Sequence, residues 1–223
     1  MIKPVIFCDF DGTVTKKDNI ISIMKHFAPP GWERWKDGVL SRSISIQEGV
    51  GNMFSLLPSA LKKDIIDFVI DTAEIRDGFG EFIQFAKKQS IPIYIVSGGI
   101  DFFVKPMLES FASIDGIYCN EADFSDETIK IHWPYDCDRH CPNQNCGCCK
   151  PSLIRKLAGE DSHVIVIGDS VTDVEAAKVA DTVISRDYLS KTCDDMSIPH
   201  HSFETFYDCI NILEDLQKSA VGK

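Results

Sequence analysis

The sequence has no run of apolar residues close to the roughly 20 that a membrane-spanning helix requires. Residues 1–4 also lack the basic and apolar regions of a secretory signal. Basic residues are scarce as well, since 23 lysines and arginines stand against 34 aspartates and glutamates, for a net charge of −11. We therefore expect a cytoplasmic protein with no membrane partner and no nucleic-acid partner, because both of those surfaces are anionic.

The sequence also lacks internal repeats and low-complexity linkers. Its nine cysteines are an odd number, so a complete internal disulfide framework is excluded and we expect reduced thiols. The apolar share of 44% and the charged share of 26% are ordinary for a globular protein. A chain of 223 residues suffices for one well-buried domain with a smaller insertion.

Strand-like and helical patterns alternate along most of the chain. Five apolar runs have the composition of strands, at residues 5–8, 91–96, 116–119, 164–167 and 182–185. Ile, Val and Tyr dominate most of these runs with little alternation, which is typical of strands that are covered on both faces. Amphipathic helical patterns separate the runs. The sequence therefore predicts an α/β fold, a Rossmann-like parallel sheet with helices on both faces.

Residues 16–76 show helical patterns but no convincing strand. Asp18 or Asn19 can act as a helix N-cap, and Ser45 with Glu48 has the spacing of a capping box. A helical stretch of about sixty residues is too long for a plain crossover between two strands. We therefore predict a helical cap, residues 16–76, inserted into a catalytic α/β core of residues 1–15 and 77–223. Residues 122–149 are a second irregular segment, and residues 124–133 have the pattern of a hairpin.

The most informative motif is DFDGT at residues 9–13, directly after an apolar run. Its carboxylates, Asp9 and Asp11, lie two residues apart at the end of a buried strand, where a bound cation would relieve their mutual repulsion. A carboxylate beside a divalent cation can attack phosphorus, and its neighbour can transfer protons. The alternative interpretation is a strand followed by an ordinary Asp-Gly turn.

Further candidate residues lie at predicted strand ends or helix starts, where ligands bind in open α/β sheets. Ser97 and Gly98 follow the run 91–96 and offer a hydroxyl and backbone N–H groups to an anion. Lys150 stands directly before a predicted helix, and its ammonium can bind phosphate. Considered alone, Ser97 and Gly98 would more often form an ordinary turn. An isolated lysine such as Lys150 is ordinarily a solvated surface group.

Asp169 and Asp173 follow the run 164–167. Asp169 can ligate a hard divalent cation, and Asp173 can support its ligand shell. The alternative is that Asp169 or Ser170 caps the next helix. Combined with Asp9 and Asp11, these residues form an oxygen-rich pocket that suits Mg²⁺, and the chemistry would be phosphoryl transfer to a carboxylate followed by hydrolysis.

Four motifs, in order, carry a resemblance to the haloacid-dehalogenase superfamily of phosphatases. They are residues 9–15 (DFDGTVT), Ser97, Lys150 and residues 168–173 (GDSVTD). The resemblance extends over nearly the whole chain, and the helical insertion lies where that family places its first cap.

The resemblance implies residue roles. Asp9 would be the nucleophile that becomes an aspartyl-phosphate, and Asp11 would protonate the leaving group and then deprotonate water. The magnesium ligands would be the carboxylates of Asp9 and Asp169 and the backbone carbonyl of Asp11, with Asp173 in support. The hydroxyl of Ser97 and the ammonium of Lys150 would hold the phosphoryl group.

Segments of the cap and of residues 146–151 are similar to one bacterial branch of these phosphatases, which acts in methionine salvage. This similarity implies a small phosphorylated metabolite as partner, a five-carbon enol phosphate bearing a methylthio group, and an acireductone as product. Two alternatives stay open: a phosphatase of phosphoserine or another small phosphomonoester, and a phosphate-binding module without turnover. The oligomeric state is not predicted.

Four cap side chains, Trp32, Trp35, Met53 and Phe54, offer apolar and polarisable surface to a methylthio tail. The alternative is that they pack the cap's own core, which we expect for at least two of them. This leaves the substrate contacts of the cap open.

Five cysteines lie within thirteen residues, at Cys137, Cys141, Cys146, Cys148 and Cys149. Sulfur density of this kind suggests a structural Zn²⁺ site, although the spacing lacks two clean C-x-x-C pairs. The alternative is a reduced loop that positions the lysine after it.

Overall fold

The central strand of the fold is β1 (Lys3–Cys8), in a computed structural model that describes residues 3–221. Successive side chains of a strand point to opposite faces. Ile6 and Cys8 accordingly pack into one apolar layer, and Val5 and Phe7 pack into the layer on the other face. Both layers are buried, which is why the run that predicts this strand has no polar face.

Within residues 3–221, seven strands form one sheet. Besides β1 they are β2 (Ile93–Ile100), β3 (Gly116–Asp123), β4 (Lys130–His132), β5 (Ser162–Gly168), β6 (Thr182–Ser185) and β7 (His201–Ser202). Their order is β4-β3-β2-β1-β5-β6-β7, and all neighbours are parallel except the antiparallel β3 and β4. The predicted Rossmann-like α/β fold is confirmed.

The described residues form ten α-helices. They are α1 (Asn19–Phe27), α2 (Trp32–Leu40), α3 (Ile46–Ser55), α4 (Lys62–Thr72), α5 (Phe79–Lys88), α6 (Asp101–Leu108), α7 (Lys150–Leu157), α8 (Val174–Ala177), α9 (Asp187–Asp195) and α10 (Phe206–Val221). Helices α5 and α10 pack on the layer of Ile6, and α7 packs on the layer of Val5. Among these helices, none is long and apolar enough to cross a bilayer.

Residues 16–76, all of them described, contain helices α1–α4 and no strand. Helix α1 begins after Asp18, whose carboxylate accepts the N–H of Ile21 at 2.9 Å. Helix α3 begins after Ser45, whose hydroxyl accepts the N–H of Glu48 at 3.1 Å. Both predicted helix starts are confirmed. The buried apolar residues of this segment belong to the same cluster as Ile6, so the helices pack directly on the sheet layer.

Strand β2 is longer than predicted. It continues past residue 96 to Ile100, and its pairing with β3 shifts register between Val96 and Ile100. Glycines permit such an irregularity inside a strand. Ser97 and Gly98 therefore lie in the last, irregular part of β2 rather than after it, and α6 begins only at Asp101.

Two helices, α2 and α9, are absent from the sequence predictions. Their apolar patterns are weak: Trp32 is the buried residue of α2, and Leu189 and Cys193 are the buried residues of α9. Helix α8 has only four residues, because a 3₁₀ turn occupies residues 171–173 directly before it.

Candidate active site

Lys150, the first residue of α7, pairs with two buried carboxylates. Its Nζ lies 2.8 Å from Asp9 Oδ1 and also forms an ion pair with Asp173 Oδ1. Each of the three side chains is at most 5% exposed. Burial alone would lower the pKa of Lys150, but the charges of Asp173 and Asp9 raise it, so the ammonium stays protonated.

Asp173 organises the turn that follows β5. Its Oδ2 accepts the backbone N–H groups of Asp169 at 3.1 Å and Ser170 at 3.0 Å. Ser170 in turn caps the 3₁₀ turn of residues 171–173. The capping role that the sequence offered as an alternative is therefore present in the same turn that carries Asp169 and Asp173. Because one oxygen of Asp173 pairs with Lys150 and the other binds this turn, Asp173 holds Asp169 in position.

Carboxylate oxygens of Asp9, Asp169 and Asp173 lie within 4.8 Å of one another. Burial raises the pKa of Asp9 well above its ordinary value, and the charge of Asp173 adds to the rise while Lys150 opposes it. Burial and Asp173 likewise raise the pKa of Asp169 to about 7. One ammonium thus faces three carboxylates, and this oxygen-rich cluster can hold a divalent cation.

Gly12 lets the loop after β1 pass close to Asp169. Its φ of 86° lies in the left-handed region, and a Cβ at this position would overlap the Asp169 carboxylate. The hydroxyl of Thr13 donates to Asp169 Oδ1 at 2.7 Å. The DFDGT motif therefore joins the loop after β1 to the loop after β5, as two neighbouring strand ends of a parallel sheet allow.

Arg76 holds the same loop from the far end of the helical segment. Its Nε donates to the carbonyl of Thr13 at 2.7 Å, and its Nη2 donates to the carbonyls of Gly12 at 2.6 Å and Thr15 at 3.3 Å. The arginine is 7% exposed. Sequence reasoning missed it, because its partners lie 61 to 64 positions away and are backbone atoms that have no sequence signal.

Asp11 lies beside a residue that the sequence analysis considered only as a helix cap. Asn19 donates to Asp11 Oδ1 twice, from its backbone N–H at 3.0 Å and from its Nδ2 at 2.6 Å. Burial and the charge of Asp18 raise the pKa of Asp11 to about 7, against the hydrogen bonds from Asn19, which lower it. A carboxyl with this pKa can both donate and accept a proton near neutral pH.

Ser97 and Gly98 face Asp11 from the end of β2. Ser97 is fully buried, and its hydroxyl donates to Asp11 Oδ2 at 3.4 Å and accepts the N–H of Gly99 at 2.8 Å. Asn120 on β3 donates from Nδ2 to the carbonyl of Gly98 at 2.8 Å and so fixes the glycine backbone. Asn120 has no motif that could reveal it, since a single asparagine on a strand is not a pattern.

A cavity of about 430 Å³ opens above these groups. Asp9, Asp11, Asp169 and Gly98 line its floor. The helical segment supplies a second wall that is mainly apolar. It comprises Ile20, Ile21, Val39, Leu40, Ile46, Val50 and Met53, together with the charged Asp18 and Lys36. The cavity therefore has an acidic floor and an apolar wall, which suits a ligand with one charged and one hydrophobic end.

The lining of the cavity shows which of the four cap side chains considered above could contact a ligand. Met53 lines the cavity, whereas Trp32 and Phe54 are buried in the apolar cluster that joins the helices to the sheet. Trp35 packs against the same cluster and is outside the cavity lining. Trp32, Trp35 and Phe54 therefore have packing roles, as expected for at least two of the four, but they pack in a cluster shared with the sheet and not in a separate core of the cap.

The cysteine prediction needs one correction. Sulfur atoms of Cys137, Cys141, Cys146 and Cys149 lie within 4.8 Å of one another. Cys148, which the prediction includes, is elsewhere: it packs in the apolar layer of Val5, and its Sγ donates to the carbonyl of Tyr118 at 3.5 Å. Side chains of adjacent residues point in different directions, so Cys148 faces the sheet while its neighbour Cys149 faces the loop.

Comparison with known proteins agrees with this geometry. A family model described as haloacid dehalogenase-like hydrolase matches residues 6–178. The chain belongs to this family of hydrolases. The resemblance seen in the four sequence motifs is thereby confirmed.

Curated relatives are more specific than the family. The 2-hydroxy-3-keto-5-methylthiopentenyl-1-phosphate phosphatase of Geobacillus thermodenitrificans (strain NG80-2) is 57% identical over 213 residues, which are 96% of each chain. A relative of the same name from Brevibacillus brevis is 50% identical over 220 residues, covering 98% of this chain and 99% of the relative.

Solved structures agree on the fold. A phosphoserine phosphatase from T. onnurineus aligns with a TM-score of 0.71 over 95% of this chain and 94% of its own, at 14% identity. At this identity the likeness concerns the fold alone.

Proposed function

We propose that this chain hydrolyses 2-hydroxy-3-keto-5-methylthiopentenyl-1-phosphate to phosphate and the acireductone 1,2-dihydroxy-3-keto-5-methylthiopentene, a step of methionine salvage. The observation that carries the proposal is the 57% identity, over 96% of both chains, to a relative of that name. The cavity supports it, because a phosphate would meet the polar floor and a methylthio group would meet the apolar wall.

Asp9 acts as the nucleophile in the mechanism that we propose. Its carboxylate attacks phosphorus, the bond between phosphorus and the enol oxygen breaks, and an aspartyl-phosphate forms. Lys150, 2.8 Å from Asp9 Oδ1, orients the attacking carboxylate and offers its ammonium to the phosphoryl oxygens, together with Ser97 and the backbone of Gly98.

Asp11 transfers the protons. In its protonated form it gives a proton to the leaving enol oxygen, which departs as the neutral product. The resulting carboxylate then takes a proton from the water that attacks the aspartyl-phosphate, which releases inorganic phosphate and restores Asp9. The pKa of Asp11, raised to about 7, suits both directions of transfer.

We also propose that the enzyme depends on Mg²⁺. The residues fit, because clustered carboxylates without matching positive charge are the ligands this ion prefers. Asp9, Asp169 and the backbone carbonyl of Asp11 would hold it, with Asp173 fixing Asp169. When bound, the ion would neutralise charge on the phosphoryl oxygens.

We propose that the helical segment, residues 16–76, is a cap that determines substrate specificity, and that residues 1–15 and 77–223 form the catalytic core. It supplies the apolar wall of the cavity, whereas the core supplies the groups on the floor. A cytoplasmic location is proposed as well, and nine free cysteines support it.

A panel of phosphate esters tests the substrate. We expect kcat/KM for the methylthio enol phosphate to exceed that for phosphoserine and p-nitrophenyl phosphate by at least about a hundredfold. The Met53→Ser variant should lose about tenfold on the methylthio substrate and little on p-nitrophenyl phosphate, because it removes apolar surface from the wall. Met53 is also buried in the apolar cluster, so circular dichroism checks that the variant folds. Met196→Ser, at a residue that is 46% exposed and outside the cavity, is the control.

Phosphoserine as the best substrate of the panel would assign the chain to the alternative phosphatase. Absence of turnover on every ester, with magnesium present, would leave a phosphate-binding module and overturn the proposal.

A further inference from the structure

Residues 133–149 connect β4 to α7 without any helix or strand. A connection of this length without secondary structure is uncommon inside a compact domain unless something else organises it. Gln144, Asn145 and Gly147 all have positive φ, at 47°, 51° and 75°. Two of these are not glycine, so the backbone conformation needs an additional stabilising interaction.

The cluster of Cys137, Cys141, Cys146 and Cys149 lies inside this connection. All four sulfur atoms are within 4.8 Å of one another, and Cys141 Sγ lies 3.6 Å from Cys146 Sγ. Four thiolates around one Zn²⁺, at about 2.3 Å each, form a tetrahedron with edges of about 3.8 Å. Four sulfurs this close leave room for one metal ion, whereas an iron–sulfur cluster places iron and sulfide atoms between its ligands.

Neighbouring groups hold the cluster to α7. Ser152 on α7 lies with its hydroxyl 2.9 Å from Cys149 Sγ and accepts the N–H of Asp138 at 2.9 Å. Asp138 in turn accepts two hydrogen bonds of 2.7 Å from Arg155, also on α7. In metal sites, hydrogen bonds of this kind from neighbouring groups orient the side chains that bind the metal.

We propose that Cys137, Cys141, Cys146 and Cys149 bind one structural Zn²⁺ as four thiolates. The ligand set is closed, because four sulfurs complete the tetrahedron and leave no position for substrate. Binding releases the thiol protons to solvent and involves no oxidation. Cys148 is not a ligand, since its sulfur contacts the carbonyl of Tyr118 on β3.

The proposed ion lies next to two functional parts of the molecule. Cys149 is the residue directly before Lys150, so the metal fixes the start of the helix that presents the ammonium to Asp9. Asn145 accepts the N–H of Gln47, on α3, at 3.2 Å. The consequence for Lys150 rests on the proposed function, but the metal site itself does not.

Metal content tests the site directly. Protein purified under reducing conditions with added ZnSO₄ and then desalted should contain about one zinc per chain by mass spectrometry. The double variant Cys137→Ser/Cys146→Ser should lose at least about tenfold in zinc content. These two cysteines are half-buried, which favours folding of the variant, and circular dichroism checks the fold. Cys148→Ser is the matched control and should keep its zinc.

Cobalt identifies the ligands. Replacement of zinc by Co²⁺ should give sulfur-to-cobalt charge transfer and the visible absorption of a tetrahedral thiolate site, in wild type and in Cys148→Ser but not in the double variant. This spectrum separates the thiols from the carboxylates of Asp9 and Asp169, which would give weak octahedral absorption.

Wild-type protein that takes up no zinc would overturn the proposal, as would a Cys141–Cys146 disulfide found by peptide mapping under the same conditions. If the double variant does not fold, release of zinc from wild type by a mercurial thiol reagent, but not by dilution, supports the site, and no release contradicts it. None of these readouts depends on phosphatase activity.

Discussion

Two clusters of potential metal ligands lie near Lys150, one of carboxylates and one of thiols, and the fold positions them in different ways. Asp9, Asp169 and Asp173 follow strands β1 and β5, and two of them, Asp9 and Asp169, lie at the floor of a cavity. The four cysteines of the proposed zinc site lie in an irregular loop that leads into α7, and none of them lines that cavity. A sheet can position reactive groups by itself, because neighbouring strand ends meet at one edge. A loop without secondary structure needs a cross-link, and a metal is one.

Replacement of Asp9, the proposed nucleophile, should have the largest effect. Asp9→Asn removes the attacking carboxylate while keeping its size, so we expect phosphate release from p-nitrophenyl phosphate with Mg²⁺ to fall by about 10⁴-fold or more. Asp64→Asn, on the exposed face of α4, is the control and should be unaffected. Full activity in Asp9→Asn would refute the aspartyl-phosphate mechanism.

Loss of the Asn19 amide should have the next largest effect. The hydrogen bond from its Nδ2 lowers the pKa of Asp11, so in Asn19→Ala, which keeps only the backbone hydrogen bond, this pKa should rise further. Asp11 must be ionised to accept a proton from water, and the acidic limb of the kcat profile should therefore move to higher pH. We expect a loss of about tenfold to a hundredfold at neutral pH.

A steady-state pH series measures this shift. Asn52→Ala, at a half-buried asparagine on α3 that donates to the carbonyl of Glu48, should keep the wild-type profile. An unchanged limb in Asn19→Ala would show that Asp11 is not the group that titrates.

Single substitutions in the two clusters should change stability in opposite directions. Asp169→Asn removes one of the crowded carboxylates, so the magnesium-free protein should melt at a higher temperature than wild type at pH 8. Cys146→Ser removes one of the proposed zinc ligands and should melt at a lower temperature than wild type. Each kcal/mol corresponds to about 2–4 °C for a chain of this size, and scanning calorimetry resolves such shifts. The same sign for both variants would break the comparison between the clusters.

Magnesium should stabilise the protein more at high pH than at low pH, and this is the smallest effect. The pKa values of Asp11 and Asp169 are raised to about 7 in the folded chain. A raised carboxyl pKa contributes stability at pH values below about 4, which is lost as the pH rises through about 7. Magnesium binds the ionised form, so its effect should be near zero at pH 5 and a few degrees at pH 8.

Thermal melts with and without MgCl₂ at the two pH values measure this difference. Asp169→Asn should reduce the shift at pH 8. An equal shift at both pH values would contradict a carboxylate site.

Much of the fold and of the acidic cluster was predictable from the sequence, for a physical reason. Strands buried on both faces are continuous apolar runs, and the residues directly after them share one edge of the sheet. This is how Asp9 and Asp169 could be placed together although they are far apart in the chain.

The residues that escaped prediction act through individual polar contacts that leave no pattern in the sequence. Arg76 binds backbone carbonyls, and Asn19 and Asn120 donate from their side-chain amides, so none of them belongs to a periodic pattern. The inclusion of Cys148 among the clustered thiols was wrong because spacing alone does not tell which way a side chain in an irregular loop points.

Arg76 sets a condition for anyone who exchanges the helical segment between relatives. The segment leaves the core after Thr15 and returns at Arg76, and the arginine binds the carbonyls of Gly12, Thr13 and Thr15 at the point of departure. A graft that ends before position 76 keeps the recipient's Arg76 and its hydrogen bonds. A graft that introduces a different residue at position 76 loses these hydrogen bonds and so loosens both junctions. Chimeras should therefore be joined inside the boundary that Arg76 closes.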